Sequence, residues 1–341
     1  MLKTIPIINK AVEGPKEKYN ILTFDTHERY QTQLCKTGHN FYSFKYKDCK
    51  DWDTAYAPKP DNYYTLPVDT IPHGLSMDMV LSQSKFGQFQ VGSQIAATLG
   101  LPLISLEHTL PIPNWPPQQL EAFKNMIGHE NVFISEYSVG RWGMNFGCPT
   151  SVVHHSVDSE TFKPKEVDKK VDILSVVNEF VDRDYCCNYQ GWLRIASQFE
   201  GKKIDVVGKD SEKITQDIPA VDGGVANGVE DLVERYNSAK IFLNTSTISP
   251  VPTSLLEAMA CGCAIVTTST CMIPEIIENG VNGYSSNDEK ELASYINTLL
   301  ENEDLRKSMG QRARETVVEK FSEELFNSNW NRIFDKVYGV I

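Results

Sequence analysis

Short apolar runs alternate with helical patterns along most of this chain, and no other feature limits the possible folds as strongly. The first series starts with YNILTF (19–24), continues with the helical pattern HERYQTQLCKTG (27–38) and returns to the strand-like HNFYSF (39–44). Parallel strands need a crossover between them, which is usually a helix, so this order is typical of a parallel sheet. The sequence predicts an α/β fold.

The same alternation starts again in the second half of the chain. VDILSVV (171–177) and KIDVVG (203–208) are each followed by a helical pattern, and the strand-like IFLNTS (241–246) and CAIVTT (263–268) come next. Residues 288–341 are helical in pattern almost throughout. Two series of this kind predict two doubly wound sheets, whose ligands bind at the carboxyl ends of the strands.

The length of 341 residues exceeds what one hydrophobic core usually covers. The polar segment SVDSETFKPKEVDKK (156–170) separates the two series and is the best candidate for a linker. We therefore predict a first domain over 1–155, a second domain over 156–325 and a C-terminal helix over 326–341 that is able to pack back on the first domain.

The net charge of −12 is concentrated in the second half of the chain. The first 165 residues carry 15 basic and 16 acidic side chains, whereas the remainder carry 18 and 29. A protein that binds nucleic acid along an extended surface normally has a basic face, so the charge argues against nucleic acid as a partner. An anionic membrane surface is disfavoured for the same reason.

The apolar residues and the cysteines indicate the compartment. No apolar run reaches the roughly 18 residues of a membrane-spanning helix, and the N-terminus lacks the apolar core of a secretory signal. The eight cysteines form no C-x-x-C pair and no zinc-like spacing with the seven histidines, which favours reduced thiols. We expect a cytoplasmic protein without a transmembrane segment.

The segment PTSLLEAMACGCAIVTT (252–268) places a glutamate inside an apolar run. Thr253 and Ser254 are both able to cap a helix, and Ser254 stands three residues before Glu257, as in a capping box. Gly262 suits the left-handed residue that ends a helix. We predict a short helix over about 255–261, whose free N–H groups and positive dipole end suit a phosphate or diphosphate.

Together with IPEIIENGVNGY (273–284), the segment SLLEAMACGCAIVTT (254–268) resembles the signature of glycosyltransferase family 4. Three further segments match in register: HHSVDSETFKP (154–164), KIDVVGK (203–209) and VANGVEDLVERYNSAKIFLNTS (225–246). The first 150 residues resemble the family only in the alternation of strand and helix patterns and at single positions. The resemblance implies the GT-B fold, with two doubly wound Rossmann-like parallel-sheet domains facing each other across a cleft and a helical C-terminal tail.

The resemblance also implies a retaining glycosyltransferase, which moves a sugar from a nucleotide-sugar donor, most commonly a UDP-sugar, to an acceptor hydroxyl. The acceptor is open between a glycan, a lipid-linked sugar and a small molecule. Two alternatives stay open: a nucleotide-sugar epimerase of similar architecture, and a non-catalytic relative that binds a nucleotide or glycan. A dinucleotide oxidoreductase is disfavoured, because no G-x-G-x-x-G follows YNILTF or VDILSVV.

Family roles carry over to the positions that match the motifs. Glu257 would bind the ribose hydroxyls of the donor, a role compatible with capping, and the backbone N–H groups of Thr253, Ser254 and Leu255 would bind the diphosphate. The other donor-binding candidates are Asn178, Arg183, Gly208, Lys209, Asn227, Gly228, Val229 and Ser249. The candidates for a catalytic role are His108, Arg183 and Glu257.

The donor side departs from the family pattern at three positions. Asn178 stands where an arginine is usual and Arg183 where a lysine is usual, so one cation for the diphosphate is lost unless Lys209 compensates. Ser249 stands where a glutamate usually contacts the donor sugar. Ser249 itself, or the backbone amides of the proline-rich turn, would have to take over that contact.

The first domain offers candidates at the ends of its strands. His108 ends the strand LPLISLEH, where the family often has a histidine beside the transferred sugar. His155 is interpreted only as the end of a strand. A polar cluster follows the first strand and either contacts the acceptor or the leaving phosphate, or faces solvent behind a Thr26 helix cap. The acceptor-side candidates in this cluster are His27, Glu28 and Arg29.

Two acidic motifs are candidates for a metal site. Asp182-Arg-Asp184 and Asp51-Trp-Asp53 both match D-x-D, a pattern by which other glycosyltransferases hold a diphosphate through a divalent ion. Two such matches in an acidic chain are close to chance. Because a helix N-terminus and cations neutralise a diphosphate without metal, we predict no cofactor and no required metal.

Overall fold

The structure, a computed structural model, describes residues 16–339 apart from 48, 55, 145–146 and 219–220. The chain divides into two compact units. Unit 1 comprises Met1–His155 and Glu323–Ile341, and unit 2 comprises Ser156–Ser322. The boundaries between the two units lie after residue 155 and after residue 322. The sequence predicted these boundaries after residues 155 and 325. Among the described residues, no helix combines the length and apolar character needed to span a bilayer.

Unit 1 contains a seven-stranded sheet in which every neighbouring pair of strands is parallel. The strands are β1 (Asn20–Thr23), β2 (Asn40–Lys45), β3 (Tyr63–Val68), β4 (Met79–Ser82), β5 (Leu103–Glu107), β6 (Glu130–Phe133) and β7 (Thr150–Val152). The helices that connect them are α1 (Glu28–Cys35), α2 (Gln88–Leu99), α3 (Pro117–Lys124) and α4 (Glu136–Trp142).

Unit 2 contains a six-stranded sheet that is also parallel throughout. Its strands are β8 (Val171–Val176), β9 (Ile204–Val207), β10 (Val221–Gly224), β11 (Ala239–Asn244), β12 (Ala264–Thr267) and β13 (Tyr284–Ser285). Its helices are α5 (Asp184–Cys187), α6 (Tyr189–Ala196), a 3₁₀ turn at Ser211–Gln216, α7 (Gly228–Ser238), α8 (Thr253–Ala260), α9 (Ile273–Ile276), α10 (Glu289–Glu301) and α11 (Glu303–Lys320).

Both sheets reverse their strand order at an inner position. The order is β3-β2-β1-β4-β5-β6-β7 in unit 1 and β10-β9-β8-β11-β12-β13 in unit 2. The reversal lies between β1 and β4 in the first sheet and between β8 and β11 in the second. In such sheets ligands bind outside the carboxyl ends of the strands that flank the reversal. The predicted α/β fold with two doubly wound parallel sheets is confirmed.

The strands that the sequence missed are edge or near-edge strands. β3 (YYTLPV) has only two buried residues and contains a proline, and β10 (VDGG) ends in two glycines. Both lie at an edge of their sheet. Edge strands tolerate proline and are exposed on one side, so they lack the apolar run that identifies a central strand. By contrast, all four residues of β4 are buried.

The last helix of the chain, α12 (Glu323–Tyr338), belongs to unit 1. Trp330 of this helix is fully buried, and its indole Nε1 donates a hydrogen bond to the Tyr30 hydroxyl across 3.0 Å. The Tyr19 hydroxyl donates a hydrogen bond to Asp335 across 2.7 Å. These contacts join the last helix to the first strand and the first helix of the unit.

The predicted linker over 156–170 has no helix or strand, yet it is not a fully solvated segment. Val157 and Phe162 are buried in the core of unit 2. The polar composition of the segment gave no indication that these two residues are buried.

Gly262 has the predicted left-handed conformation, with φ of 74°, and follows the end of α8.

Candidate functional site

The first turn of α8 lies at the carboxyl edge of the unit 2 sheet, after β11. Its N-cap is Pro252, without a side-chain cap hydrogen bond, so the predicted capping by Thr253 or Ser254 is wrong. The helix begins two residues earlier than the capping box required, and Pro252, whose ring fixes φ at −65°, holds the extended N-cap position. Thr253 and Ser254 are therefore the first two helical residues.

The amides of this first turn differ in their hydrogen bonding. The Leu255 N–H donates to the Pro252 carbonyl oxygen across 3.1 Å. Within the described residues, the N–H groups of Thr253 and Ser254 have no acceptor. Of the three amides that the sequence assigned to a diphosphate, Thr253 and Ser254 thus remain available donors and Leu255 is already engaged.

Glu257 lies one turn further along α8 and is 6% exposed. Its Oε2 accepts a hydrogen bond from the hydroxyl of Tyr236, 2.8 Å away on α7. Sequence reasoning missed Tyr236, although a tyrosine on the buried face of a helix needs a partner for its hydroxyl. The glutamate in the apolar run is thus explained by a buried tyrosine partner, and not by a capping box.

Arg183 lies between β8 and α5 and is exposed. Its Nη2 lies 3.8 Å from Cys186 Sγ. In the part of the chain that the structure describes, no carboxylate lies within salt-bridge distance of its guanidinium. Lys209 differs, because its Nζ is 2.8 Å from Oε1 of Glu179. Arg183 is therefore the less neutralised of the two cations assigned to the diphosphate.

The turn after β9 is built around Gly208. Its φ of 153° and its position leave no room for a side chain, since a Cβ there would lie 2.0 Å from the Val177 carbonyl oxygen. The adjacent Lys209 N–H donates to Oδ1 of Asn178 across 2.9 Å. Gly208 and Asn178 thus fix the turns after β8 and β9 against each other.

The donor-binding candidates Asn227, Gly228 and Val229 lie at the start of α7. Asn227 is the N-cap residue, without a side-chain cap bond, and its backbone N–H donates to Oδ2 of Asp231 across 2.7 Å. Gly228 is exposed with φ of 88°, and Val229 packs partly against the unit 2 core. The described residues therefore leave the Asn227 side chain and the Gly228 backbone at the surface.

Ser249 lies half-buried in the loop between β11 and α8. This loop is fixed at two points: the Thr247 N–H donates to the Cys186 carbonyl oxygen across 2.8 Å, and the Ser246 carbonyl oxygen accepts from the Thr268 hydroxyl across 2.5 Å. The loop is thus tied to α5 on one side and to the end of β12 on the other.

In unit 1, His108 follows β5 and is 9% exposed. Its ring centroid lies 4.5 Å from those of His27 and Tyr30 and 6.1 Å from that of His155. Burial lowers the pKa of His108 well below its usual value, and burial lowers the pKa of His155 to about 4. Both are therefore neutral near pH 7, suited to hydrogen bonding and not to carrying charge.

Two interpretations of unit 1 need correction. His155 does more than end a strand, since it lies in the ring cluster around His108. The cap of α1 is His27 and not Thr26. Glu28 does not face solvent: it is 5% exposed, and its Oε1 lies 2.5 Å from Lys50 Nζ. Of the predicted acceptor-side candidates, His27 and Arg29 are exposed, and only Glu28 is buried.

The two D-x-D pairs are engaged by protein groups. Asp182 pairs with Lys213 at 2.6 Å, and Asp184 accepts the Gln190 N–H across 2.8 Å. Asp51 pairs with Lys45 at 2.8 Å. The described residues contain no group of three or more His, Cys, Asp or Glu side chains placed to hold a metal ion.

Comparison with known proteins identifies the C-terminal part of unit 2. Residues 224–316 match the family model of glycosyl transferases group 1. The N-acetyl-alpha-D-glucosaminyl L-malate synthase of Bacillus anthracis is 42% identical over 82 residues, which are 24% of this chain and 22% of that relative. The alpha-maltose-1-phosphate synthase of Mycolicibacterium smegmatis is 34% identical over 97 residues, which are 26% of this chain and 25% of that relative. The matches thus span about a quarter of the length of these curated relatives.

Solved structures resemble almost the whole chain. Sucrose-phosphate synthase from Thermosynechococcus elongatus is similar with a TM-score of 0.79 at 14% identity, over 95% of this chain and 100% of that chain. HepE from Anabaena in complex with UDP-glucose is similar with a TM-score of 0.76 at 16% identity, over 93% of this chain and 100% of that chain. At these identities the likeness establishes the fold. This protein therefore has the GT-B fold, and its residues 224–316 are similar to glycosyl transferases group 1.

Proposed function

We propose that this protein transfers a sugar from a nucleotide-sugar donor, with UDP as the favoured nucleotide, to an acceptor hydroxyl with retention at the anomeric carbon. The observation that carries the proposal is the first turn of α8, where the Thr253 and Ser254 amides are unengaged and Glu257 is buried one turn away. HepE, which shares the fold, has been solved with UDP and with UDP-glucose. The family match to residues 224–316 includes this turn.

The leaving diphosphate is the group that the site must stabilise most. When the bond between the anomeric carbon and the phosphate oxygen breaks, negative charge develops on the diphosphate. The Thr253 and Ser254 N–H groups and the positive end of the α8 dipole favour that charge. Arg183 adds a cation whose planar guanidinium suits phosphate oxygens.

The acceptor proton needs no strong base under this proposal. The acceptor oxygen bonds to the anomeric carbon on the face that the diphosphate leaves, and its proton passes to the departing phosphate oxygen. Glu257, held by Tyr236, binds the ribose hydroxyls of the donor. His108, neutral at physiological pH, donates or accepts a hydrogen bond at the transferred sugar.

The charge neutralisation proposed above involves no metal ion, so we propose metal-independent transfer. For the acceptor we propose a glycan, a lipid-linked sugar or a small molecule, and the net charge of −12 disfavours nucleic acid. A cytoplasmic setting is supported by the eight cysteines, which all lie in described positions and form no disulfide there.

Binding of a panel of nucleotides tests the donor assignment. We expect UDP and UDP-sugars to raise the melting temperature more than GDP or ADP, because a ligand that binds only the folded state stabilises it in proportion to saturation. Release of UDP in the presence of an acceptor tests transfer. Proton NMR of the first product shows its anomeric configuration and so tests retention. The proposal fails if no nucleotide shifts the melting temperature, and retention fails if the first product has the inverted configuration.

Ser249 favours one second candidate, a non-catalytic protein that binds nucleotide sugars. A serine at this position is shorter than the usual glutamate and offers a single hydroxyl to the sugar. The same experiment separates the two functions. A binding protein saturates with UDP-sugar but releases no UDP with any acceptor, whereas a transferase turns over.

A further inference from the structure

Cys186 and Cys187 are adjacent residues of α5, and their sulfur atoms lie 3.7 Å apart. They are 5% and 6% exposed. On the outer side of the pair, Arg183 Nη2 lies 3.8 Å from Cys186 Sγ. The function proposed above uses Arg183 but neither of the thiols.

The surroundings favour a thiolate at one of the two sulfurs. The hydrogen bond between the two sulfurs, together with the charge of Arg183, lowers the pKa of Cys186 to about 6, and the Cys186 sulfur also lies 3.5 Å from the Arg183 carbonyl oxygen. The same hydrogen bond, together with burial, raises the pKa of Cys187. The pair therefore shares one proton, and the thiolate is the nucleophilic form of cysteine.

Two other thiols of unit 2, two residues apart in the sequence, have a different environment. Cys261 and Cys263 flank Gly262 and are both buried. Burial raises the pKa of Cys263 to about 11 and also raises that of Cys261. These two thiols are protonated at neutral pH, so they provide an internal control for reactivity.

We propose that Cys186 and Cys187 form a redox modification site, at which a peroxide oxidises the two thiols to a vicinal disulfide. The Cys186 thiolate attacks one oxygen of hydrogen peroxide, the O–O bond breaks, and a sulfenic acid and water form after proton transfer. Cys187 then loses its proton and attacks the sulfenic sulfur, the S–O bond breaks, and a second water leaves. Two thiols are oxidised and one peroxide is reduced to two waters.

The disulfide requires a rearrangement of α5. Consecutive Cα atoms are about 3.8 Å apart across a trans peptide, whereas the Cα atoms of a disulfide are usually about 4.4–6.8 Å apart. The sulfur atoms must also approach from 3.7 Å to about 2.05 Å, and successive side chains of a helix point about 100° apart, so the bond cannot form without movement of the backbone. A strained disulfide of this kind is easily reduced, which suits a reversible modification.

The carbonyl groups of the same two residues hold the loop that precedes α8. The Cys186 carbonyl oxygen accepts the N–H groups of Thr247 and Ile248 at 2.8 Å and 3.2 Å. The Cys187 carbonyl oxygen accepts the Thr245 hydroxyl across 3.0 Å. Rearrangement of the Cys186–Cys187 peptide therefore displaces the loop that contains Ser249 and leads into the first turn of α8.

This coupling to the donor site rests on the proposed function. Displacement of the loop and of Arg183 removes charge-assisted contacts to the diphosphate. We expect the affinity for UDP to fall about tenfold on oxidation, as for the loss of one hydrogen bond to a charged group.

Peptide mapping of the unmodified full chain tests the redox site itself. The protein is exposed to hydrogen peroxide in small excess, alkylated, digested and analysed by mass spectrometry. We expect the peptide with residues 186 and 187 to lose two hydrogens and to resist alkylation until dithiothreitol is added, while Cys261 and Cys263 stay reduced. Full alkylation of both thiols, or over-oxidation of Cys186 with Cys187 still alkylatable, would overturn the proposal.

A variant isolates the first step. In Cys187→Ser the sulfenic acid on Cys186 has no resolving thiol, so dimedone should trap it, whereas Cys186→Ser should show no trapping. Equal trapping in both variants contradicts the assignment of Cys186 as the attacking thiol. If either variant does not fold, the mapping of the unmodified chain still decides the proposal.

Calorimetric titration with UDP tests the coupling. The oxidised protein should bind about tenfold more weakly than the reduced protein, and dithiothreitol should restore the affinity. Formation of the disulfide with unchanged affinity contradicts the coupling. Absence of UDP binding in the reduced protein contradicts the proposed function, and peptide mapping then still decides the redox site by itself.

Discussion

The phenolic hydroxyl of Tyr236 donates a hydrogen bond to Oε2 of Glu257, and 2.8 Å separates the two oxygen atoms. Tyr236 is fully buried in α7, and Glu257 is 6% exposed in α8. A buried carboxylate is costly unless it is hydrogen-bonded. The tyrosine therefore stabilises the glutamate and sets the orientation in which it meets a ligand.

Tyr236→Phe removes this hydrogen bond while it keeps the aromatic ring in the core. We expect the free energy of unfolding to fall by about 1 kcal/mol and the affinity for UDP to fall about tenfold. Thermal unfolding and calorimetric titration measure the two effects. Tyr189→Phe is the matched control, because the Tyr189 hydroxyl donates to Asp217 elsewhere in unit 2. An equal loss of UDP affinity in both variants would refute a specific role for Tyr236.

Arg183→Ala removes the cation that we assign to the diphosphate. We expect UDP affinity to fall about tenfold or more, with a smaller dependence of binding on salt, because one charge-assisted contact is lost. Arg194→Ala is the control, since Arg194 is an exposed arginine on α6 that pairs with Glu289 at 2.5 Å. Titration of both variants with UDP at two salt concentrations measures the effect. An unchanged affinity of Arg183→Ala for UDP would contradict the assignment of Arg183 to the diphosphate.

Gly208→Ala tests the close approach of the turns after β8 and β9. A Cβ at this position would lie 2.0 Å from the Val177 carbonyl oxygen, and the φ of 153° is itself strained for alanine. We expect the free energy of unfolding to fall by about 3 kcal/mol or more. Gly201→Ala has a φ of 80° but nothing within 4 Å of its Cβ, so it should cost only about 1 kcal/mol. Equal losses in the two variants would show that the steric contact is unimportant.

The stability of the protein should fall with decreasing pH below about 6.5. The pKa of His155 decreases from 6.5 to about 4 on folding, so between these values the unfolded chain binds more protons than the folded one. The loss of stability therefore begins as the pH falls below 6.5 and is complete below about 4, where both states carry the proton. The lowered pKa of His108 acts in the same direction.

Thermal unfolding between pH 7.5 and about 4 measures this dependence. His155→Gln should flatten the decrease in melting temperature, whereas the exposed His73→Gln should not. A melting temperature that is constant over this range in the unmodified protein would contradict burial of neutral histidines around His108.

Removal of divalent cations should leave sugar transfer unchanged. The proposed charge partners of the diphosphate are backbone amides and a guanidinium, and the carboxylates of Asp51, Asp182 and Asp184 pair with lysines or accept a backbone N–H. Turnover with EDTA and with added Mg²⁺ or Mn²⁺ measures this. Loss of activity with EDTA and its recovery with either metal would overturn metal independence.

The central strands and most helices follow from the sequence because their causes are local. VDILSVV and CAIVTT are short segments rich in apolar and β-branched residues, as strands covered on both faces usually are, and Gly262 ends α8 where a left-handed residue was expected. The edge strands β3 and β10 do not follow, since proline, glycine and exposed positions remove the pattern.

The details of the candidate site depended on contacts between distant residues. The spacing from Ser254 to Glu257 fitted a capping box, but a neighbouring proline took the cap. Glu28 fitted an exposed helix start, but Lys50 and the Asp53 N–H bind its carboxylate. His155 fitted the end of a strand, but the fold brings it to His108. In each case a partner remote in sequence, or the backbone of one neighbour, decided the role.

By itself the sequence determined the parallel α/β architecture, the two-sheet organisation and the similarity to a glycosyltransferase family, because these depend on hydrophobic period and on a contiguous motif. Only the tertiary structure decided that Tyr236 binds Glu257, that Arg183 has no carboxylate partner within the described residues while Lys209 has one, and that two thiols meet beside the loop before α8. Hydrogen bonds, ion pairs and proton affinities depend on distances of a few ångströms between side chains. The order of residues along the chain does not specify those distances until the sheets and helices have packed.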